Sequence, residues 1–372
     1  MNISEFDKRM APLAGSESPM LWHEPHSGPF RMTGFPWHGK DAVYRRLPLR
    51  PSEELPDAVD ALANCTAGGQ VSFQTDSCRI AIQAQLAGRS NMCHMPATGQ
   101  CGFDLYVGPP CIQRFHGVSK YEIAQSAYDL LLFEHPDTTM RNFTINFPLY
   151  QGVKQVQIGL APEARITPPP PWAADGRIVI YGTSITQGGC ASRPGMAYTN
   201  ILSRALNTEI INLGFSGSGR GEPEVIRQVA DVPNPRLFIL DYEANSAGRL
   251  ADTLPDAIRI LRDRHHTVPV LVVSRIAFST DLTHDERLRA RDTSRDMQAN
   301  LVDDLRKGGD SGIHFLDGSV FLGSDFDECT VDGIHPNDLG FMRIARQMEI
   351  GIRTVLDATP SSGPPPNPGD SR

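Results

Sequence analysis

The 372 residues contain no CxxC pair, no run of lysines and arginines, and no stretch approaching 18 uninterrupted apolar residues. Each absence excludes something. With 43 acidic against 35 basic side chains and a net charge of -8, the chain lacks the basic cluster that nucleic acid or an anionic membrane surface demands. Without a long apolar run, no bilayer-spanning helix is expected. The first fifteen residues carry Glu5, Asp7, Lys8 and Arg9 and no apolar core, so they do not read as a secretory signal. Cys65, Cys78, Cys93, Cys101, Cys111, Cys190 and Cys329 are odd in number and scattered, which predicts free thiols in a reducing cytoplasm.

Proline, by contrast, is abundant and marks the boundaries. Pro168–Pro171 are consecutive, a sequence that excludes helix and central strand and forces an extended segment. A linker is therefore expected over 163–176. Before it, over 40–162, short period-two segments recur: 70–75, 79–86, 102–107, 142–149 and 156–160. In 79–86, Ile80, Ile82, Ala84 and Leu86 share one face. Such spacing predicts an all-β, jelly-roll-like sandwich, preceded by an extension over 1–39, with one helix expected within 119–134. After the linker, over 177–358, continuous apolar runs alternate with helical patterns. The runs 177–181, 209–213, 237–241, 268–273 and 313–316 read as strands buried on both faces of a parallel sheet, and 339–356 as an amphipathic helix. Residues 359–372 are nearly devoid of apolar side chains and are expected to form a disordered tail.

Ligands of open parallel sheets sit beyond the carboxyl ends of the strands. Four places there are rich in chemistry: Gly182-Thr183-Ser184-Ile185-Thr186 after the first strand, Gly214 after the second, Tyr242-Glu243-Ala244-Asn245 after the third, and Asp332-Gly333-Ile334-His335 before the last helix. In order and context they resemble the four blocks of the SGNH, or GDSL-type, hydrolases. Gly102-Phe103-Asp104-Leu105-Tyr106 is similar to the Gly-x-Asp-Leu-Tyr signature of the N-terminal β domain in one subgroup of that family. The pattern departs at Thr183, where the family often has aspartate, and at Glu243, where it usually has glycine. The resemblance implies a flavodoxin-like three-layer α/β/α catalytic domain.

The chemistry agrees with that assignment. A serine hydroxyl is a weak nucleophile, needing a base and fixed donors for the oxyanion that forms. Ser184 is the expected nucleophile, His335 the base and Asp332 the carboxylate that holds its tautomer. The backbone N–H groups of Ser184 and Gly214 and the Asn245 amide are the expected oxyanion donors. Gln187, Cys190 and Arg193, close behind the nucleophile, and Glu243 are candidate substrate contacts. Phe103, Asp104 and Tyr106 are expected to pack and to bury a hydrogen bond.

Other signals have plainer readings. Gly309-Asp310-Ser311-Gly312 reads as a turn, and Gly217-Ser218-Gly219-Arg220-Gly221 fails as a dinucleotide fingerprint because Glu222 stands where a glycine belongs. His23, His26 and His38 lack a second ligand pair at zinc spacing. The expected activity is a cytoplasmic serine esterase removing a short acyl group, acetyl in the first place, from a carbohydrate or oligosaccharide. It would need no cofactor, metal, nucleic acid or membrane, and its oligomeric state is open. An acyltransferase or thioesterase using the same site, and a non-catalytic carbohydrate-binding protein, are the alternatives.

Overall fold

The computed structural model describes residues 3–358; the tail expected over 359–372 lies outside the described residues. The carboxyl-terminal half is built on five parallel strands in the order Ile210–Gly214, Arg177–Gly182, Pro235–Asp241, Val270–Val273 and Ile313–Leu316. Alternate residues of the Arg177–Gly182 strand feed two different cores. Val179 and Tyr181 join the layer that contains the helices Pro223–Ala230 and Leu250–Arg264. Ile178 and Ile180 join the layer of Tyr198–Leu206 and Asp338–Ala358. Burial on both faces is why these strands read as unbroken apolar runs. The strand order reverses direction at Arg177–Gly182, so the crevice where flavodoxin-like sheets bind ligands opens between its end and that of Pro235–Asp241. This is the three-layer α/β/α architecture expected.

The amino-terminal half is a sandwich of two antiparallel sheets enclosing a third core rich in phenylalanine, including Phe73, Phe103, Phe143 and Phe147. The described residues of the expected 1–39 extension are not an appendage to it. Leu21–His23 pairs with Val153–Leu160 in one sheet, and Arg31–Thr33 pairs with Gln70–Thr75 in the other. The expected helix within 119–134 is also corrected: Ala127–Glu134 is a strand, with Tyr128, Leu130 and Leu132 buried and Asp129 turned outward. The run of four apolar residues there fits either period, and pairing with Arg79–Leu86 decides it.

The two halves are sewn together. Leu47, Leu55, Val59 and Ala63 belong to one core of the α/β half, and Ala67, Met95 and Leu149 to the other. Residues 47–63 therefore pack with the catalytic half, although sequence places them in the sandwich region. The fully buried guanidinium of Arg46 donates to the carbonyls of Asn212 (3.2 Å), Gly214 (2.6 Å), Cys65 (2.7 Å) and Leu62 (2.7 Å). The proline segment is held at the seam: Arg31 donates to the Pro170 carbonyl at 2.7 Å and lies 3.9 Å over the Trp172 ring.

Candidate active site

Ser184 opens a single helical turn, Ser184–Gln187, directly beyond the Arg177–Gly182 strand. Thr183 caps it: its hydroxyl accepts the Ile185 N–H at 3.2 Å, and its own N–H donates to the Thr186 hydroxyl at 3.2 Å. Thr186 in turn donates to Asp241 Oδ2 (3.0 Å), which also accepts the Tyr198 hydroxyl (2.7 Å). Burial pushes the Asp241 carboxyl up to about 7. The nucleophile's turn is thus anchored to the next strand by side chains as well as by backbone.

His335 and Asp332 come from the loop before the last helix, folded back by pairing of Thr330 with Pro336 and by Val331 N–H donating to the His335 carbonyl at 2.8 Å. Gly333 takes φ +87°, the left-handed conformation that lets the loop turn so tightly. Asp332 Oδ1 accepts the N–H groups of Ile334 (3.0 Å) and His335 (2.8 Å), and Oδ2 lies 2.7 Å from His335 Nδ1. Although burial works against it, these bonds hold the Asp332 carboxyl below its ordinary range. With Nδ1–H turned to a carboxylate, Nε2 is left as the acceptor, and it lies 2.9 Å from Ser184 Oγ.

The expected oxyanion donors fare differently. No acceptor takes the Ser184 N–H among the described residues. Asn245 is likewise uncommitted, its buried Oδ1 having no hydrogen-bond partner. Gly214 is corrected: its N–H already donates to Asn212 Oδ1 at 2.9 Å. The residue is glycine because a β-carbon there would collide with the Gln187 nitrogen and the Thr186 carbonyl carbon, so it serves close packing beneath the nucleophile turn. The next turn supplies another candidate. Gly217 has φ +68°, open space around its Cα and an N–H with no acceptor among the described residues. Beneath the nucleophile turn, the Tyr150 hydroxyl donates to the Ser184 carbonyl at 3.3 Å.

Three of the four candidate substrate contacts are structural. Gln187 is fully buried; its amide donates to the Leu149 carbonyl (3.1 Å) and its Oε1 accepts the Ser216 N–H (3.0 Å), which fixes the Ser216–Gly217 turn. Glu243, also buried, accepts from the Arg275 N–H (2.7 Å) and the Gln298 amide (2.8 Å) and faces away from substrate duty. Arg193 turns to the sandwich, donating to Asp104 Oδ2 at 3.0 Å and to the Tyr106 hydroxyl, with its guanidinium 3.7 Å over Phe115. Asp104, wholly buried, also accepts the Gly195 N–H (2.8 Å) and the Asn146 amide (2.7 Å). The Gly-Phe-Asp-Leu-Tyr segment is therefore a clasp on the loop that follows the nucleophile.

Cys190 alone of the four stands beside the triad, buried and in a left-handed conformation at φ +73°. Burial, reinforced by Asp332, pushes its thiol up to about 12. Two sandwich-side residues that sequence reasoning passed over also reach the site: Tyr150, already described, and His94, whose Nε2 lies 3.7 Å from Asp332 Oδ2 and whose ring meets that of His335 edge-on at 5.9 Å. A cleft of about 400 Å³ at the seam between Arg31, Trp172 and Arg204 includes none of these groups. No helix among the described residues is long and apolar enough to cross a membrane.

Comparison with known proteins follows the same division. The GDSL-like lipase/acylhydrolase family matches residues 175–353, and the N-terminal domain of SGNH-hydrolase-type esterases, named GxDLY, matches residues 20–166. No curated protein matches the chain. Among solved structures, a GDSL-like protein from Bacteroides ovatus ATCC 8483 is 29% identical, with a TM-score of 0.83 over 91% of this chain and 98% of that one. The salicylyl-acyltransferase SsfX3 of a tetracycline biosynthetic pathway is 18% identical with a TM-score of 0.70, covering 91% and 98%. A family two carbohydrate esterase from Cellvibrio japonicus is 14% identical with a TM-score of 0.58, again covering 91% and 98%. With a catalytic half matched by one profile and a sandwich matched by the other, the chain belongs to the SGNH, GDSL-type hydrolases that carry a GxDLY N-terminal domain, and is a carboxylic ester hydrolase.

Proposed function

We propose that the protein hydrolyses short-chain acyl esters, acetyl in the first place, of a carbohydrate or oligosaccharide through an acyl-enzyme on Ser184. The observation that carries this reading is the continuous relay from Ser184 Oγ to His335 Nε2 (2.9 Å) and from His335 Nδ1 to Asp332 Oδ2 (2.7 Å). His335 takes the hydroxyl proton as Ser184 Oγ attacks the ester carbonyl, and the imidazolium so formed is stabilised by Asp332. The oxyanion is met by the Ser184 N–H, the Asn245 amide and the Gly217 N–H, the last in the role that sequence gives to Gly214. His335 then returns the proton to the departing alcohol oxygen. Water, activated by the same imidazole, attacks the acyl carbon and releases the acid and free Ser184. The preference for a sugar alcohol rests on fold likeness to carbohydrate esterases, among them an acetyl xylan esterase from Butyrivibrio proteoclasticus.

The test is hydrolysis of p-nitrophenyl acetate and of acetylated xylo-oligosaccharides by the wild type and by Ser184→Ala. The wild type should release acetate, and the variant should lose essentially all of that activity. Equal rates for both proteins, or a wild type inert on every acetyl ester, would reject the esterase reading, and acetyl transfer to an added acceptor in preference to water would make the enzyme an acyltransferase.

A further inference from the structure

One cluster shares His335 with the triad and adds two groups, His94 and Cys190, that the mechanism does not use. His94 arrives from the sandwich side, Cys190 from the loop after the nucleophile and His335 from the loop before the last helix. One ligand atom from each lies within 4.8 Å of the other two. Imidazole and thiolate are the preferred donors of borderline-soft d10 cations, which take three or four such ligands at about 2.0–2.3 Å in a roughly tetrahedral arrangement. A carboxylate oxygen for the fourth position is at hand, since Asp332 Oδ2 is 3.7 Å from His94 Nε2. Entry is open on one side: the side chains of His94 and His335 are 35% and 24% exposed, while Cys190 forms the buried floor.

We propose that His94, Cys190 and His335 form a binding site for a divalent d10 cation, with Zn²⁺ as its representative, and that occupancy switches the enzyme off. The second half follows from the bonds of His335. Both of its ring nitrogens are engaged, Nδ1 with Asp332 and Nε2 with Ser184, so whichever one takes the cation, one link of the relay is broken. The exchange balances simply: the cation displaces the Cys190 thiol proton, which leaves to solvent, and the neutral imidazole keeps its single proton on the nitrogen that does not bind metal. No redox step is involved. The inhibitory effect rests on the reading of His335 as the catalytic base; the binding site itself does not.

The experiment therefore reads binding and activity separately. Binding is followed by titrating Cd²⁺ as a probe and recording the ultraviolet thiolate-to-metal charge-transfer band, in the wild type, Cys190→Ser, His94→Ala, and Cys93→Ser as a control for the exposed neighbouring thiol. Activity is followed by p-nitrophenyl acetate hydrolysis against Zn²⁺, with reversal by EDTA. The expected result is a one-to-one band that is retained in C93S and absent in C190S. Inhibition should be reversible, and H94A and C190S should each need at least about tenfold more Zn²⁺ for half-inhibition relative to their own uninhibited rates. Ser184→Ala should still give the band, so a protein that binds cadmium but hydrolyses nothing would sink the esterase reading alone. A band that survives C190S, or Zn²⁺ inhibition unchanged in H94A and C190S, would overturn the metal site. Should C190S fail to fold, H94A, whose side chain is only partly buried, decides the matter by itself.

Discussion

Replacing Asp104 by alanine should destabilise the protein by about 3–5 kcal/mol, the cost of removing one partner of a buried, hydrogen-bonded ion pair. The structure supplies the reasons for so large a figure. Asp104 has no solvent exposure and receives three donors: the Arg193 guanidinium, the Gly195 N–H and the Asn146 amide. Orphaning the last two in a buried site costs about 1–3 kcal/mol each. Arg193 keeps its contacts with Tyr106 and Phe115, which limits the loss from its own charge. Asp104→Asn should be milder, about 1–2 kcal/mol, because one amide oxygen can still accept from Arg193 and Gly195. Its NH2 then faces the Asn146 amide, which cannot flip without breaking the bond that Gln70 donates to Asn146 Oδ1 at 2.8 Å. Urea unfolding followed by tryptophan fluorescence measures both variants. If Asp104→Ala moves the midpoint by less than the equivalent of about 1 kcal/mol, or Asp104→Asn costs as much as Asp104→Ala, the clasp is not held by charge and hydrogen bonds as argued.

Two further substitutions probe the site. Asn245→Ala should lower kcat for p-nitrophenyl acetate by about 10²–10³ while leaving the unfolding midpoint almost unmoved, since its side-chain oxygen has no partner among the described residues; a large loss of stability would mean the amide is a structural cap. Asp241→Asn should gain stability relative to the wild type as pH rises from 5 to 8. Unfolded, the carboxyl loses its proton near 3.8, whereas folded it holds the proton to about 7, so the wild type loses about 1.4 kcal/mol per pH unit between those values and little more above about 7, while the asparagine variant, still able to accept from Tyr198 and Thr186, does not. An identical difference between the two proteins at pH 5 and pH 8 would refute the assignment.

What the sequence made legible is what continuity and order can encode. Strands buried on both faces leave unbroken apolar runs, so the parallel sheet was readable almost residue by residue. Ser184, Asp332 and His335 could be singled out because each follows a strand or precedes the last helix in a fixed order, and the fold brings the three side chains into one line of hydrogen bonds. The glycine proposed as oxyanion donor could not. Gly214 and Gly217 both follow the second strand, and only the folded Asn212 side chain, curling back onto Gly214, decides which N–H is free. Gly217 was visible merely as part of a failed dinucleotide motif. Glu243 and Arg193 looked like substrate contacts because they flank site residues in sequence, yet a neighbour in the chain can point to the opposite side, and Arg275 and Asp104 draw them there. His94 left no local signal at all, since it reaches the triad only through docking of the two halves.

That docking also bears on solubility. Ile210–Gly214 is one of the two edge strands of the catalytic sheet, a position that would expose unpaired carbonyls to any passing chain. Arg46 occupies two of them, at Asn212 and Gly214, and the backbone of Gly68 lies against the Asn212 side chain. The amino-terminal half is thus an edge guard as well as a partner in the site: a fragment starting near residue 175 would keep Ser184, Asp332 and His335 but present an open strand, and would associate edge to edge.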